Sequence, residues 1–250
     1  MIYIGTSGWA YPSWKPDFYP PKTASAKFLA YYASQLNCVE VNYTFRTWAK
    51  PSLLEKWIGS TPAGFLFALK AHQRITHFKR LKDVAEDVRE FGTSLQPLFE
   101  AGRLGPVLFQ LPPNLKASPD LLTEVLRPLP RSQRFAMEFR HASWFEPAIF
   151  DRMREHNVAL CIAENEDLQT PEVFTADFSY FRFRYSDYTS EQLQQLRKRV
   201  LTASTHGDVF AFMKHEDEPR GALNARKLLE ILKATAAPGQ SAAAPPPAPE

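Results

Sequence analysis

The sequence predicts an α/β fold, a (β/α)8 TIM barrel, on three observations. Its 250 residues match the ~250 that one such barrel needs. Runs rich in Val, Ile, Phe and Tyr alternate with helix-like segments, the pattern of parallel strands joined by right-handed crossovers. The first such run leads into Gly5-Thr6-Ser7-Gly8-Trp9, which lacks the G-x-G-x-x-G phosphate turn of a doubly wound open sheet.

The strands are expected at Ile2–Ser7, Cys38–Asn42, Phe65–Ala71, Val107–Leu111, Phe135–Arg140, Val158–Ala163, Ser179–Arg184 and Val209–Lys214. Helices are expected between them at Ala24–Gln35, Pro51–Ser60, Leu81–Ala101, Pro119–Arg127, Pro147–His156 and Ser190–Thr202, with a last one at Ala222–Ala234. Pro119 and Pro147 stand where a first-turn proline is tolerated. Glu164–Asp177 is short and contains Pro171, so one degenerate crossover is expected between strands six and seven. Residues 1–235 read as a single domain. Residues 236–250 are almost entirely Ala, Pro, Gly, Ser and Gln, which bury too little apolar surface to offset their ordering entropy, and read as a disordered tail.

A hydrophobic fraction of 44% with 23% charged residues suits a globular core, and 19 Phe, 9 Tyr and 5 Trp are ample to fill it. A net charge of +3 is too small to argue nucleic-acid binding from composition and leaves an anionic ligand open. Cys38 and Cys161 sit in apolar runs and read as buried, reduced thiols. The chain enters a strand-like run at Met1 without a leader, and no apolar run approaches the ~20 residues that span a bilayer. A cytoplasmic protein without membrane contact is expected. The sequence does not identify a cofactor. Neither H-E-x-x-H nor H-x-H spacing occurs, so a metal remains unassigned.

Side chains alternate faces along a strand, and that parity points to the site. In Phe135–Arg140 the large apolar residues face helices, which turns Glu138 and Arg140 inward. The same logic turns Glu40, Asn42, Lys70, His72, Gln110, Arg182 and Arg184 inward. All lie towards the C-terminal ends of their strands, where barrel active sites are built. Buried ion pairs that only fix packing are the alternative. Groups from five strands at one mouth would be costly to desolvate unless they met water or a ligand, which favours a site.

The inventory then suggests chemistry. Glu40, Glu138 and Lys70 are the candidate catalytic groups, with Glu164 a further carboxylate at the mouth. Arg140, Arg182 and Arg184 suit bidentate capture of phosphate or carboxylate. On the loops, Trp9 and Tyr11, with Trp14, offer rings for a sugar or base, or else plug the barrel mouth. His77, His141 and Trp144 follow strands three and five and complete the ligand-binding set. One reading is an enzyme, such as a hydrolase, acting on a sugar phosphate, another anionic small molecule or a phosphodiester. The other is a non-catalytic module that binds an anionic ligand or nucleic acid. No protein partner is indicated.

Gly5–Trp9, Phe18-Tyr19-Pro20, Val39–Asn42 with Thr44-Phe45, Lys70 with Ile75-Thr76-His77, Gly105-Pro106 with Leu108–Pro113, Glu138–His141 with Ser143-Trp144, and Asn224-Ala225 occur in this order. By these blocks the chain resembles the YecE-like family, a domain of unknown function. The resemblance covers roughly residues 1–230 and implies a TIM barrel with a polar pocket and no settled reaction. The family usually reads Arg-Leu-His-Gly where this chain has Arg182-Phe183-Arg184-Tyr185. It also carries an Asn-rich turn where this chain has Met213-Lys214-His215-Glu216-Asp217.

Deletion of residues 237–250 is expected to leave the melting temperature within a few degrees of the full chain, because an unpacked segment buries nothing. Thermal melts of the two chains check this, and a larger drop would show that the segment docks.

Overall fold

The computed structural model describes residues 1–164, 168–214 and 218–236, and in it eight parallel strands form a barrel. The strands are β1 (Ile2–Thr6), β2 (Cys38–Val41), β3 (Leu66–Lys70), β4 (Leu104–Gln110), β5 (Phe135–Glu138), β6 (Val158–Ala163), β7 (Phe178–Phe183) and β8 (Asp208–Met213). They pair in the order β1-β8-β7-β6-β5-β4-β3-β2. Helices α1 (Phe28–Gln35), α2 (Pro51–Gly59), α3 (Ala85–Ser94), α4 (Gln96–Glu100), α5 (Pro119–Leu126), α6 (Pro147–Glu155), α7 (Ser190–Ser204) and α8 (Arg220–Ala236) alternate with them. Residues 237–250, where the tail was expected, lie outside the described residues.

Between β6 and β7, no helix forms among the described residues of the crossover. Instead Thr175 lies against β6, where its hydroxyl donates to the Val158 carbonyl at 2.7 Å and accepts from the Leu160 amide at 2.8 Å. The single helix expected over Leu81–Ala101 is two. Pro97 cannot donate to the helical ladder and crowds the preceding turn, so the chain breaks at Leu95 between α3 and α4. Arg80, Leu81 and Asp83 have positive φ, which delays the start of α3 to Ala85.

Alternation sorts the strand side chains into two cores. Val39, Phe67, Leu69, Val107, Phe109, Met137 and Phe181 pack outward against the helices. The barrel interior is filled unevenly. Ala68, Ala136 and Ala159 leave space on one side, which Phe178, Tyr180, Phe210 and Phe212 fill from the other. Tyr3 stacks on Phe210 with ring centroids 4.7 Å apart, flooring the barrel beneath the polar mouth.

The barrel closes between β1 and β2, where the only backbone pairing among the described residues is a bridge from Ser7 to Glu40. Side chains supply the missing hydrogen bonds. Asn37 stands in for a strand: its Nδ2 donates to the Ile2 carbonyl and its Oδ1 accepts from the Ile4 amide, both at 2.8 Å. The buried Tyr32 hydroxyl of α1 accepts from the Thr6 amide at 2.8 Å and donates to the Cys38 carbonyl at 3.0 Å. A Cβ on Gly5 would lie 2.2 Å from the Cys38 carbonyl oxygen, so only glycine permits this approach.

Tyr32→Phe would leave the buried Thr6 amide without an acceptor. It is expected to cost about 1–3 kcal/mol, and Asn37→Ala a similar amount. Urea unfolding should show a lower midpoint at an unchanged slope.

Candidate functional site

The mouth is organised around Arg182 of β7, whose side chain is only 4% exposed. One Nη donates to Glu40 Oε1 at 2.8 Å and the other pairs with Glu138 Oε2. The remaining carboxylate capacity is also taken up. Glu40 Oε1 accepts from the Ser7 hydroxyl and Oε2 from the Tyr180 hydroxyl, each at 2.7 Å. Gln110 Nε2 bridges both oxygens of Glu138 at 3.0 Å, and Arg140 Nε donates to Glu138 Oε1 at 2.9 Å. The Gln110 carbonyl in turn accepts from Lys70 Nζ at 2.7 Å. One connected network therefore joins β3, β4, β5, β7 and the β1–β2 seam.

Its electrostatics follow from burial and charge. Burial by itself would raise the Glu138 carboxyl, but Arg182, Arg140 and the Gln110 amide outweigh it and hold the group at about 2. Burial, aided by the Arg182 charge, depresses the Lys70 ammonium to about 8, with Glu40 and Glu138 opposing in part. Lys70 Nζ also lies 3.8 Å from the centroid of the Phe45 ring. His77 packs edge-on against Phe45 at 4.9 Å, and burial followed by Lys70, Arg140 and Arg80 lowers its pKa.

A cavity of about 650 Å³ opens above this network, lined by Pro113, Glu138, Arg140, His141, Ala163, Glu164, Arg184 and Lys214. A second, of about 490 Å³, shares Arg140, Arg184 and Lys214 and continues to Asn42, Phe45, Arg46, Lys70, Gln110 and Arg182. His141 Nδ1 accepts from the Ser143 amide at 3.2 Å and lies 2.8 Å from the Ser143 hydroxyl. Both oxygens of Glu164 are engaged, Oε1 by Arg199 at 3.2 Å and Oε2 by the Tyr188 hydroxyl, and burial raises its pKa.

Several expected site residues make packing contacts. Trp144 is fully buried, stacks on Phe139 at 4.6 Å and donates its indole N–H to the Leu115 carbonyl at 2.7 Å. It supports the loop from beneath and does not line either cavity. His72 stacks on Trp48 at 4.7 Å, and its Nδ1 accepts from the Arg74 amide, so it packs and caps the turn after β3. Trp14 is buried within the core of its own loop, against Phe18 and Tyr19, while Trp9 and Tyr11 stay half-buried. Glu40 and Glu138, the expected catalytic carboxylates, are buried with every carboxylate oxygen occupied by a donor, and Glu138 still lines the first cavity. Sequence reasoning had passed over Ser7 and Tyr180 as network members. Parity with Gly5 and Arg182 is the signal that would have found them.

Among the described residues, no group of three or more His, Cys, Asp or Glu is placed to hold a metal ion. No helix among them is long and apolar enough to cross a membrane.

A family model described as "Protein of unknown function DUF72" matches residues 3–249. The chain is 34% identical over 163 residues to the UPF0759 protein YunF of Bacillus subtilis, covering 61% of this chain and 55% of that protein. It is 32% identical over 146 residues to the UPF0759 protein YecE of Escherichia coli, covering 58% and 50%. The aligned stretch thus spans about half the length of the curated relatives it matches. A crystal structure of a DUF72 family protein from Thermotoga maritima superposes with a TM-score of 0.83 at 28% identity, covering 93% of this chain and 99% of that one. One from Enterococcus faecalis, with a TM-score of 0.75 at 19% identity, covers 93% and 98% and shares the fold.

Arg182→Ala would strand two buried carboxylates and is expected to cost about 3–5 kcal/mol of stability. Arg140, 38% exposed, should cost far less when replaced by alanine. Denaturant unfolding of the two variants checks the difference. The Glu138 contribution should be fully present above its ordinary value of 4.5 and be lost as pH falls through about 2. Acid unfolding of Glu138→Gln against the parent chain tests that limb.

Proposed function

This chain belongs to the family described as protein of unknown function DUF72, and we propose that its barrel mouth binds an anionic small molecule through a phosphate or carboxylate. One observation carries this reading. Arg140 and Arg184 line the same cavity with donors unspent. Among the described residues, Arg140 uses only Nε, on Glu138, and Arg184 has no carboxylate partner for its guanidinium. Guanidiniums with open forks, fixed by the barrel and partly shielded from water, match the bidentate geometry of an oxyanion.

In an enzyme built on this site, Lys70 is the group suited to proton transfer, because its pKa of about 8 lies near neutrality. Arg140, Arg184 and Lys214 would then face negative charge developing on the bound group. Sugar phosphates and phosphodiesters are the substrate classes of this reading. A different observation favours a non-catalytic binding module: Glu40 and Glu138 are saturated by their partners and serve to hold Arg182. Turnover on a panel of phosphate monoesters, diesters and sugar phosphates separates the two, and in the enzyme Lys70→Gln should abolish it.

Arg140→Ala and Arg184→Ala are each expected to weaken sulfate or phosphate binding about ten- to a hundredfold, the loss of one charge-assisted contact of ~1.5–3 kcal/mol. Unchanged affinity in both variants, measured by calorimetry, would overturn the anion site. Sulfate affinity should also fall as pH rises through about 8, because the Lys70 ammonium is charged below that value and neutral above it. Lys70→Gln should flatten this dependence.

A further inference from the structure

A third cavity, of about 440 Å³, lies between the loop after β1 and the start of α2. Its character differs from that of the basic cleft. Trp9, Tyr11, Tyr43, Leu53 and Trp57 form most of its walls. Trp9 meets Trp57 edge-on at 5.4 Å and closes one corner. Gly8 has φ +110°, and a Cβ there would lie 2.5 Å from the Tyr11 hydroxyl, so the loop's backbone lets the Tyr11 ring fold over it.

The same loop shows that this exposure is not forced by a lack of room to bury rings. Trp14, Phe18 and Tyr19 are each at most 1% exposed, whereas Trp9 and Tyr11 stay open to the cavity and Tyr43 opposite is 47% exposed. Partly exposed rings gathered in a concave, apolar pocket are how proteins receive flat apolar groups.

The pocket also adjoins the cationic cleft. Asn42 lines both. Ser7, another wall of the apolar pocket, lies 3.5 Å from an Arg184 Nη and donates to Glu40. A molecule with its charged end on the arginines therefore has an apolar slot beside it, across Asn42. The charge of the cleft fixes which end goes where.

We propose that this pocket is a subsite for a planar, apolar ring, so that the ligand of the mouth is a ring-bearing phosphate or carboxylate. This rests on the anion-binding reading of the cleft. The ring enters between Trp9 and Tyr43, and the oxyanion reaches Arg184 and Arg140.

Calorimetric titration of inorganic phosphate, 2-naphthyl phosphate and neutral 2-naphthol tests it. The parent chain should bind 2-naphthyl phosphate about ten- to a hundredfold more tightly than inorganic phosphate, the gain expected from burying one ring face and edge. Ala10→Trp, which fills the pocket from an exposed position, and Tyr43→Ala should both remove that gain and leave phosphate affinity unchanged. Equal affinity for the two phosphates in the parent chain would overturn the subsite while the anion site stands. A gain retained in both variants would place the ring elsewhere and overturn it equally. Failure of both phosphates to bind would overturn the anion reading itself, and binding of 2-naphthol alone would do the same while leaving an apolar pocket unconnected with charge.

Discussion

A guanidinium held between two carboxylates inside a barrel sets the terms for everything at its mouth. Burying charge costs several kcal/mol per ion, and mutual attraction offsets this only with near-complete hydrogen bonding. Arg182, Glu40 and Glu138 come close to that condition through Ser7, Tyr180, Gln110 and Arg140, with Arg182 Nε left without a partner. Each of those partners comes from a different part of the barrel, so satisfying one ion triad fixes the relative placement of many strand ends. Lys70 inherits its position from the same demand, because Gln110 can serve Glu138 with its amide only if its carbonyl finds a donor.

The aromatic floor makes this arrangement affordable in space. Phe178 and Phe210 fill the lower interior against alanines on the facing strands, and Phe212 stands beside Arg182, its partner in register. The polar layer therefore sits on an apolar base and opens towards the two cavities above it. That one-sidedness is why burial depresses Lys70 while Arg140, at the open edge, remains 38% exposed. Arginines of the same barrel thus divide their work by depth: the deep one neutralises glutamates, and the shallow ones at 140 and 184 face the cavity.

The seam between β1 and β2 shapes the neighbouring loops. With backbone pairing reduced to one bridge, Asn37 and Tyr32 carry the closure, and Gly5 lets the strands approach. The loop leaving β1 then crosses above the seam, burying Trp14, Phe18 and Tyr19 in its own core. It presents Trp9 and Tyr11 beside Asn42, so an apolar pocket and a cationic cleft meet at the place where the barrel is least tightly zipped.

The amino-acid sequence alone determined the strand count, the strand order along the chain, the degenerate crossover between β6 and β7 and the inward parity of Glu40, Gln110, Glu138 and Arg182. These are local properties: alternation has a period of two residues, and a short segment holding Pro171 leaves little room for a full crossover helix. Only the tertiary structure decided which inward residues stay available. Glu138 and Arg140 share a strand end and a parity, yet one has every oxygen occupied and the other keeps its Nη nitrogens without a described partner. Trp9 and Trp14 share a loop and a residue type, yet one lines a pocket and the other is buried. Depth along the barrel axis and the identity of the partner across it come from residues on different strands, 28 positions apart for Gln110 and Glu138 and 142 for Glu40 and Arg182. No period within a single segment encodes a contact of that range.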